Sequence, residues 1–310
     1  MPLAAKRIAI LAKPEAQYGK DAIPTGAANA ILVSNPSLTP MEADRAERDV
    51  VRPYFGNSEG IPTGLRMKLE MEVEIAGAGS KGSAPAWGPL LLACGFAEKL
   101  TAGNKADYTL LSDGFKSLSL YCNFDGVNHK LLGARGTLAL DCKNKAIPKF
   151  KFTLTGLYGG IADAAMPTVV LNKFVTPVPF DLANVASLSL HGYSPAVESL
   201  SLDLANEVTH RALPGGSESV LITGRKPSGQ LVMESVKVGE KDWWSIIREA
   251  STGPLQLSHG KVEGNIVDIS CPAVQLGNAS YSDSDGLLML NAPLTPVPLA
   301  GDDELIISVR

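Results

Sequence analysis

The chain holds only four cysteines among 310 residues, Cys94, Cys122, Cys142 and Cys271, and no two stand in a C-x-x-C spacing. Without that spacing neither a zinc knuckle nor a thioredoxin-like redox pair is available, and buried free thiols are the expected state. Histidine is as scarce: His129, His191, His210 and His259 lie far apart with no repeated acidic or cysteine companion, which argues against a metal centre built on them. Aromatic residues make up 6% of the sequence. G-x-S-x-G, H-E-x-x-H and P-loop signatures are missing, and no G-x-G-x-x-G opens directly into a helix, so the common nucleophilic, metallohydrolase and nucleotide-binding chemistries are not suggested. Asp283-Ser284-Asp285-Gly286 imitates the start of a calcium loop but lacks the later ligands and terminal glutamate, so it reads as a hairpin turn. The expectation is a protein with no catalytic residues, no metal, no cofactor and no enzymatic activity.

Charge and long apolar runs are lacking too. Lys+Arg number 28 against 32 Asp+Glu, a net charge of −4, which leaves no basic excess for gripping a phosphate backbone. Ile8–Ala12, between Lys6-Arg7 and Lys13, is too short for a signal peptide or a membrane span, so a chain that stays in the cytoplasm when made is expected.

Present instead are the marks of a β-rich protein: 30 glycines and 21 prolines punctuate many short segments, and 45% hydrophobic residues suffice for two cores. Leu65 to Ile75 alternates apolar and charged residues without error, the period of a strand with one buried and one wet face. Leu118–Phe124 and Val127–Leu132 flank Asp125-Gly126, a strong hairpin signal, and Thr137–Asp141 and Lys149–Thr155 extend the sheet. Trp87 to Gly95 reads as a short helix with proline in its first turn and glycine at its end. Lys241 to Ala250 reads as a second, capped by Asp242. Trp87 and Trp243 are expected to anchor the core. Residues 39–63 carry Glu42, Asp44, Arg45, Glu47, Arg48, Asp49 and Arg52 before Tyr54-Phe55 and read as a long charged loop suited to interaction; 159–180, rich in proline, reads as a linker.

Blocks of the first half recur in order in the second. Gly56-Asn57-Ser58-Glu59-Gly60 is echoed by Gly215-Gly216-Ser217-Glu218-Ser219, and Pro62-Thr63-Gly64 by Pro227-Ser228-Gly229. A tryptophan-led apolar run follows in both halves, and then a hairpin turned near Gly126 or Gly264. This order predicts a duplicated β-unit, with residues 1–175 as one domain and 176–310 as the other, each with a short flanking helix.

The chain resembles the major tail tube proteins of long, flexible-tailed bacteriophages. The likeness is carried by Lys6–Gly26, similar to that family's N-terminal arm, by Arg48-Asp49-Val50-Val51-Arg52-Pro53-Tyr54-Phe55-Gly56, by Ala86-Trp87-Gly88-Pro89-Leu90-Leu91 with Cys94-Gly95-Phe96, and by Gly264-Asn265-Ile266-Val267, Val274-Gln275-Leu276-Gly277 and Gly301-Asp302-Asp303-Glu304-Leu305. The resemblance implies a mainly β fold of two tandem tail-tube-type sandwich or barrel-forming domains. It implies rings stacked into a hollow tube that carries genomic DNA to the host, located in the virion tail after assembly in the host cytoplasm. A two-domain chain would close such a ring as a homotrimer with pseudo-sixfold symmetry. The partners implied are the chain itself, tape-measure and tail-terminator or distal tail proteins, and no membrane. The long loop would reach the neighbouring ring. If the wet face of the alternating strand lines the bore, Arg66, Lys68, Glu70, Glu72 and Glu74 would present a mildly acidic wall. A tandem β-domain binding or virion decoration protein is the alternative.

Overall fold

The protein is described here by a computed structural model covering residues 2–310. The first half runs β1 (Ile8–Pro14), a helical turn α1 (Gly26–Asn29), β2 (Ala30–Ile31), β3 (Ser34–Glu47), β4 (Gly60–Glu74), α2 (Gly88–Ala93), β5 (Phe96–Thr101), β6 (Lys105–Leu110), β7 (Leu118–Phe124), β8 (Val127–Lys143) and β9 (Lys149–Asp163). The second continues with β10 (Val185–Leu190), β11 (Val197–Asp203), β12 (Asn206–Arg211), β13 (Ser219–Arg225), β14 (Ser228–Glu234), α3 (Trp243–Arg248), β15 (Thr252–His259), β16 (Val267–Leu276), β17 (Ser280–Ser284), β18 (Leu287–Pro296) and β19 (Ile306–Val309). The fold is mainly β, as expected.

Local chemistry explains the best-defined elements. In β4 the residues Met67, Leu69, Met71 and Val73, and Ile75 just after it, are all at most 2% exposed, and the charged residues between them face the other way. Asp125 and Gly126, with φ of 47° and 105°, supply the two left-handed residues of a tight β7–β8 turn. Asp285 and Gly286, at 54° and 81°, do the same between β17 and β18. The Asp242 carboxylate caps α3 by accepting from the Ser245 N–H at 2.9 Å. Trp87 and Trp243 are 1% and 2% exposed, which makes both of them core anchors. All four cysteines are free and buried, and burial pushes the Cys122 and Cys271 thiols up to about 12.

One antiparallel band crosses the molecule in the order β3, β4, β9, β8, β11, β14, β18, β17. The halves meet inside it: Ser199 to Asp203 of β11 lie opposite Lys143 to Ala139 of β8. Both halves add a second layer, β1 with β7 and the start of β8 in one, β10 with β15 and β16 in the other. The core fills the space between layers.

The pairing scheme of the first half recurs in the second. β1 with β7, β3 with β4, β4 with β9 and β7 with β8 have counterparts in β10 with β15, β11 with β14, β14 with β18 and β15 with β16. The irregularities recur as well: β7–β8 shifts register between Leu118 and Leu120, and β15–β16 between Gly253 and Leu255. The pairing of β8 along β9 is matched by β16 and then β17 along β18.

Several sequence expectations are corrected. Residues 39–63 are not one loop, because β3 continues to Glu47 and β4 begins at Gly60, leaving 48–59 as the tip of a long hairpin. The stretch 159–180 is not all linker, since Gly159 to Asp163 complete β9 against β8. The segment Lys6–Gly26, likened to an N-terminal arm, is packed against the first half. Its Ile10, Leu11 and Ala12 are at most 4% exposed in β1, paired with β7. The buried Glu15 carboxylate then accepts from the Gly19 and Gly133 N–H groups and from the Ser117 and Ser119 hydroxyls at 2.6–2.8 Å, tying the following turn down. Val127–Leu132 and Thr137–Asp141 are one strand, β8.

Candidate assembly surfaces

The wet face of the band collects the five charged residues of β4 that alternation singled out. Arg66, Lys68, Glu70, Glu72 and Glu74 are joined there by Lys149 and Lys151 of β9 and by Asp141 and Lys143 of β8, which pair alongside. Lys149 Nζ lies 2.8 Å from Glu72, Lys151 2.7 Å from Asp141, Lys68 2.7 Å from Glu70, and Arg66 2.9 Å and 3.2 Å from Glu42 and Asp44. The Lys149 ammonium, through its hydrogen bond, holds the Glu72 carboxyl below the usual range. The carboxylate excess of β4 therefore does not extend to the sheet around it. Sequence reading missed these lysines because cross-strand partners are set by register, which one strand's pattern does not encode. In the second half the same face is mostly neutral, with Ser199 and Ser201 of β11, Ser228 and Gln230 of β14, Asn291 and Thr295 of β18, and Ser280 and Ser282 of β17, and the charges it does carry, Asp203 of β11 and Glu234 of β14, are acidic.

Each end of the band is an open edge. Among the described residues β3 pairs only with β4, and β17 only with β18. Pro36 and Pro40 sit in β3, which suits an edge strand and no interior one.

Two long hairpins extend from the band at equivalent places, β3–β4 and the hairpin in which β11 leads into β12 and β13 returns into β14. The second folds onto the first half. Asn206 Nδ2 donates to the Cys94 and Gly136 carbonyls at 2.8 Å and 2.9 Å, the Val220 N–H donates to Tyr18 Oη at 2.5 Å, and Arg135 donates to the Val220 carbonyl at 2.9 Å. Arg225 donates to the Leu111 carbonyl at 2.6 Å while pairing with Asp302 and Glu304 at 2.5 Å and 3.1 Å. Cys94, Asp302 and Glu304 fall in segments that carry the family likeness, but no sequence motif marks Asn206, Val220 or Arg225, whose partners in the first half lie about 70 to 200 positions away.

Among the described residues the tip of the first hairpin has no such seat, although its stem meets the second hairpin, where a Cβ on Gly64 would lie 3.4 Å from the His210 ring. Glu42, Asp44, Arg45 and Glu47 lie on β3; Arg48, Asp49, Arg52, Tyr54 and Phe55 lie in the tip. Among the described residues the tip's side-chain hydrogen bonds stay within the hairpin, Arg48 and Arg52 both reaching Glu59. Val51 and Phe55 are fully exposed, at 102% and 107%, and Tyr54 is 66% exposed.

Among the described residues no cluster of three His, Cys, Asp or Glu side chains could hold a metal ion, and no helix is long and apolar enough to cross a membrane. Gly77-Ala78-Gly79-Ser80-Lys81-Gly82 has the spacing of a dinucleotide loop, but it serves as a joint. The Gly79 N–H donates to the Gly264 carbonyl at 2.9 Å, and a Cβ on Gly77 would come within 2.1 Å of that oxygen. A groove of about 790 Å³ beside the β8–β11 junction, lined by Lys145, Phe180, Leu188, Pro195 and Leu287 among others, gathers no nucleophile–base pair.

Comparison with known proteins agrees with an assembling β-protein. No curated protein matches the chain significantly. The family described as phage tail tube protein matches residues 5–296, nearly the whole length. The chain therefore belongs to the phage tail tube protein family, a structural component of the virion tail.

Proposed function

We propose that the chain is two copies of one tube unit, residues 1–175 and 176–310, and that three chains close into a pseudo-sixfold ring whose stacks form the hollow tail tube. The observation that carries this reading is the junction inside the chain: β8 of one unit joins β11 of the next by strand pairing, and the same band ends in two unpaired edges. An open edge is an aggregation hazard unless it is covered, and closure into a circle covers both at once. With four strands from each half in the band, three copies bring about 24 strands. At ~4.8 Å per strand they form a circle about 37 Å across before tilt, which leaves room for a DNA duplex.

In this reading the wet face lines the bore. Its first half is charged but mostly paired and its second half adds only the carboxylates Asp203 and Glu234 to neutral residues, so passing phosphates meet few free cations and little counterion release holds the DNA. The β3–β4 tip, with Tyr54 and Phe55, reaches the ring above or below. Tape-measure and tail-end proteins of the same phage are the expected partners at the tube's inside and ends.

Negative-stain electron microscopy of the purified chain tests this. Rings or tubes of uniform diameter are expected; compact single particles at every concentration would refute it.

A further inference from the structure

We infer that the contact between chains repeats the contact inside the chain, so that β17 of one copy pairs antiparallel with β3 of the next, with Ser282 opposite Ser37. This rests on the ring reading and adds the register.

The derivation uses the recurring pairs. β17 along β18 corresponds to the end of β8 along β9, and β3 along β4 corresponds to β11 along β14. Carrying the observed β8–β11 register onto these strands places Leu38 of the next copy opposite Tyr281, as Leu202 lies opposite Leu140. Ser37 then lands opposite Ser282, as Ser201 lies opposite Asp141.

Backbone polarity agrees independently. The Asn144 N–H donates to the Glu198 carbonyl and the Leu204 N–H to the Leu138 carbonyl, so residues of even number in β11 are the bonded partners of β8. On β17, the tight turn after Ser284 commits the even residues to β18 and leaves the N–H and C=O of Tyr281 and Asp283 on the open edge. On β3, alternation turns the carbonyls of Pro36, Leu38 and Pro40 to the open edge, with the Leu38 N–H. Donors of Tyr281 and Asp283 thus meet acceptors of Leu38 and Pro36. A one-residue slip would break this match and turn every side chain over. The prolines remove two donors from the β3 edge, which blunts indiscriminate pairing and keeps the pairing with β17.

Side-chain burial points the same way. Leu140 and Leu202 are 3% and 4% exposed at the internal junction, whereas Tyr281, in the place of Leu140, is 52% exposed in the single chain. A neighbour's Leu38 would cover it.

The test is disulfide trapping. Ser37 and Ser282 fall at a non-hydrogen-bonded pair, where Cα atoms stand about 4.5 Å apart, within disulfide reach. The four native cysteines are buried and do not compete. The variant Ser37→Cys/Ser282→Cys, oxidised after assembly, should run on non-reducing gels as linked dimers and closed trimers. Ser37→Cys/Ser280→Cys and Ser37→Cys/Ser284→Cys, shifted by two residues, should link at least tenfold less. Rings seen by electron microscopy without Ser37–Ser282 linkage, or with a shifted pair linking better, would overturn the register while leaving the ring intact. Absence of rings in the unmodified protein would instead remove the reading beneath it.

Discussion

The two long hairpins occupy equivalent places in the two halves and meet opposite fates. The second is clipped onto the first half through Asn206, Val220 and Arg225. The first carries Val51, Tyr54 and Phe55 at its tip into solvent, with side-chain hydrogen bonds that, among the described residues, stay within the hairpin. A hairpin whose partner lies within the chain is satisfied by polar capture of backbone carbonyls. In the proposed ring the bare apolar tip of the first hairpin meets a partner outside the chain, in keeping with exposed aromatic and aliphatic groups marking interaction surfaces.

The sharpest way to break this comparison is to charge the free tip. Val51→Asp/Phe55→Asp should abolish tubes while sparing single rings and the thermal melt, as seen by electron microscopy and calorimetry; tubes of normal length would remove the tip from the stacking contact. Next in size is Arg225→Ala at the seated hairpin. It leaves Glu304, whose side chain is 9% exposed, without its cation, so a loss of about 2–4 kcal/mol is expected in urea denaturation.

The tryptophans repeat the contrast on a smaller scale. Trp87 Nε1 donates to the Ala76 carbonyl at 3.0 Å, whereas Trp243 Nε1 has no acceptor among the described residues. Trp87→Phe should therefore destabilise by about 1–2 kcal/mol more than Trp243→Phe, because only the first leaves a buried partner unpaired.

The smallest effect concerns His259, 3% exposed at the end of β15, where burial lowers its pKa below the usual histidine value. The folded state holds it neutral, so its contribution is fully present above pH ~6.5 and is lost as pH falls through the lowered folded value. The melting temperature should drop on the order of 1–3 °C more between pH 7 and pH 5.5 in the native chain than in His259→Gln.

How much of this was legible in the sequence follows from what each element faces. β4 was readable because one face is buried and the other wet, and α3 because Asp242 announces its start. β17 was invisible: Ser280 to Ser284 are mostly exposed and carry no apolar alternation, as an edge awaiting a neighbour requires. Part of β3 passed for loop because Pro36, Pro40 and its charges belong to an edge strand. β9 reads in the sequence as ending at Thr155, with a proline-rich linker from Gly159, whereas the ladder to β8 carries the strand on to Asp163. The wall's charge could not be read from β4, since Lys149 and Lys151 arrive from another strand.

Native mass spectrometry of rings released from the assembled tube weighs the central claim most directly. Three copies of the 32.6 kDa chain per ring is the predicted result. Six copies, or an open series of masses without closure at three, would contradict it.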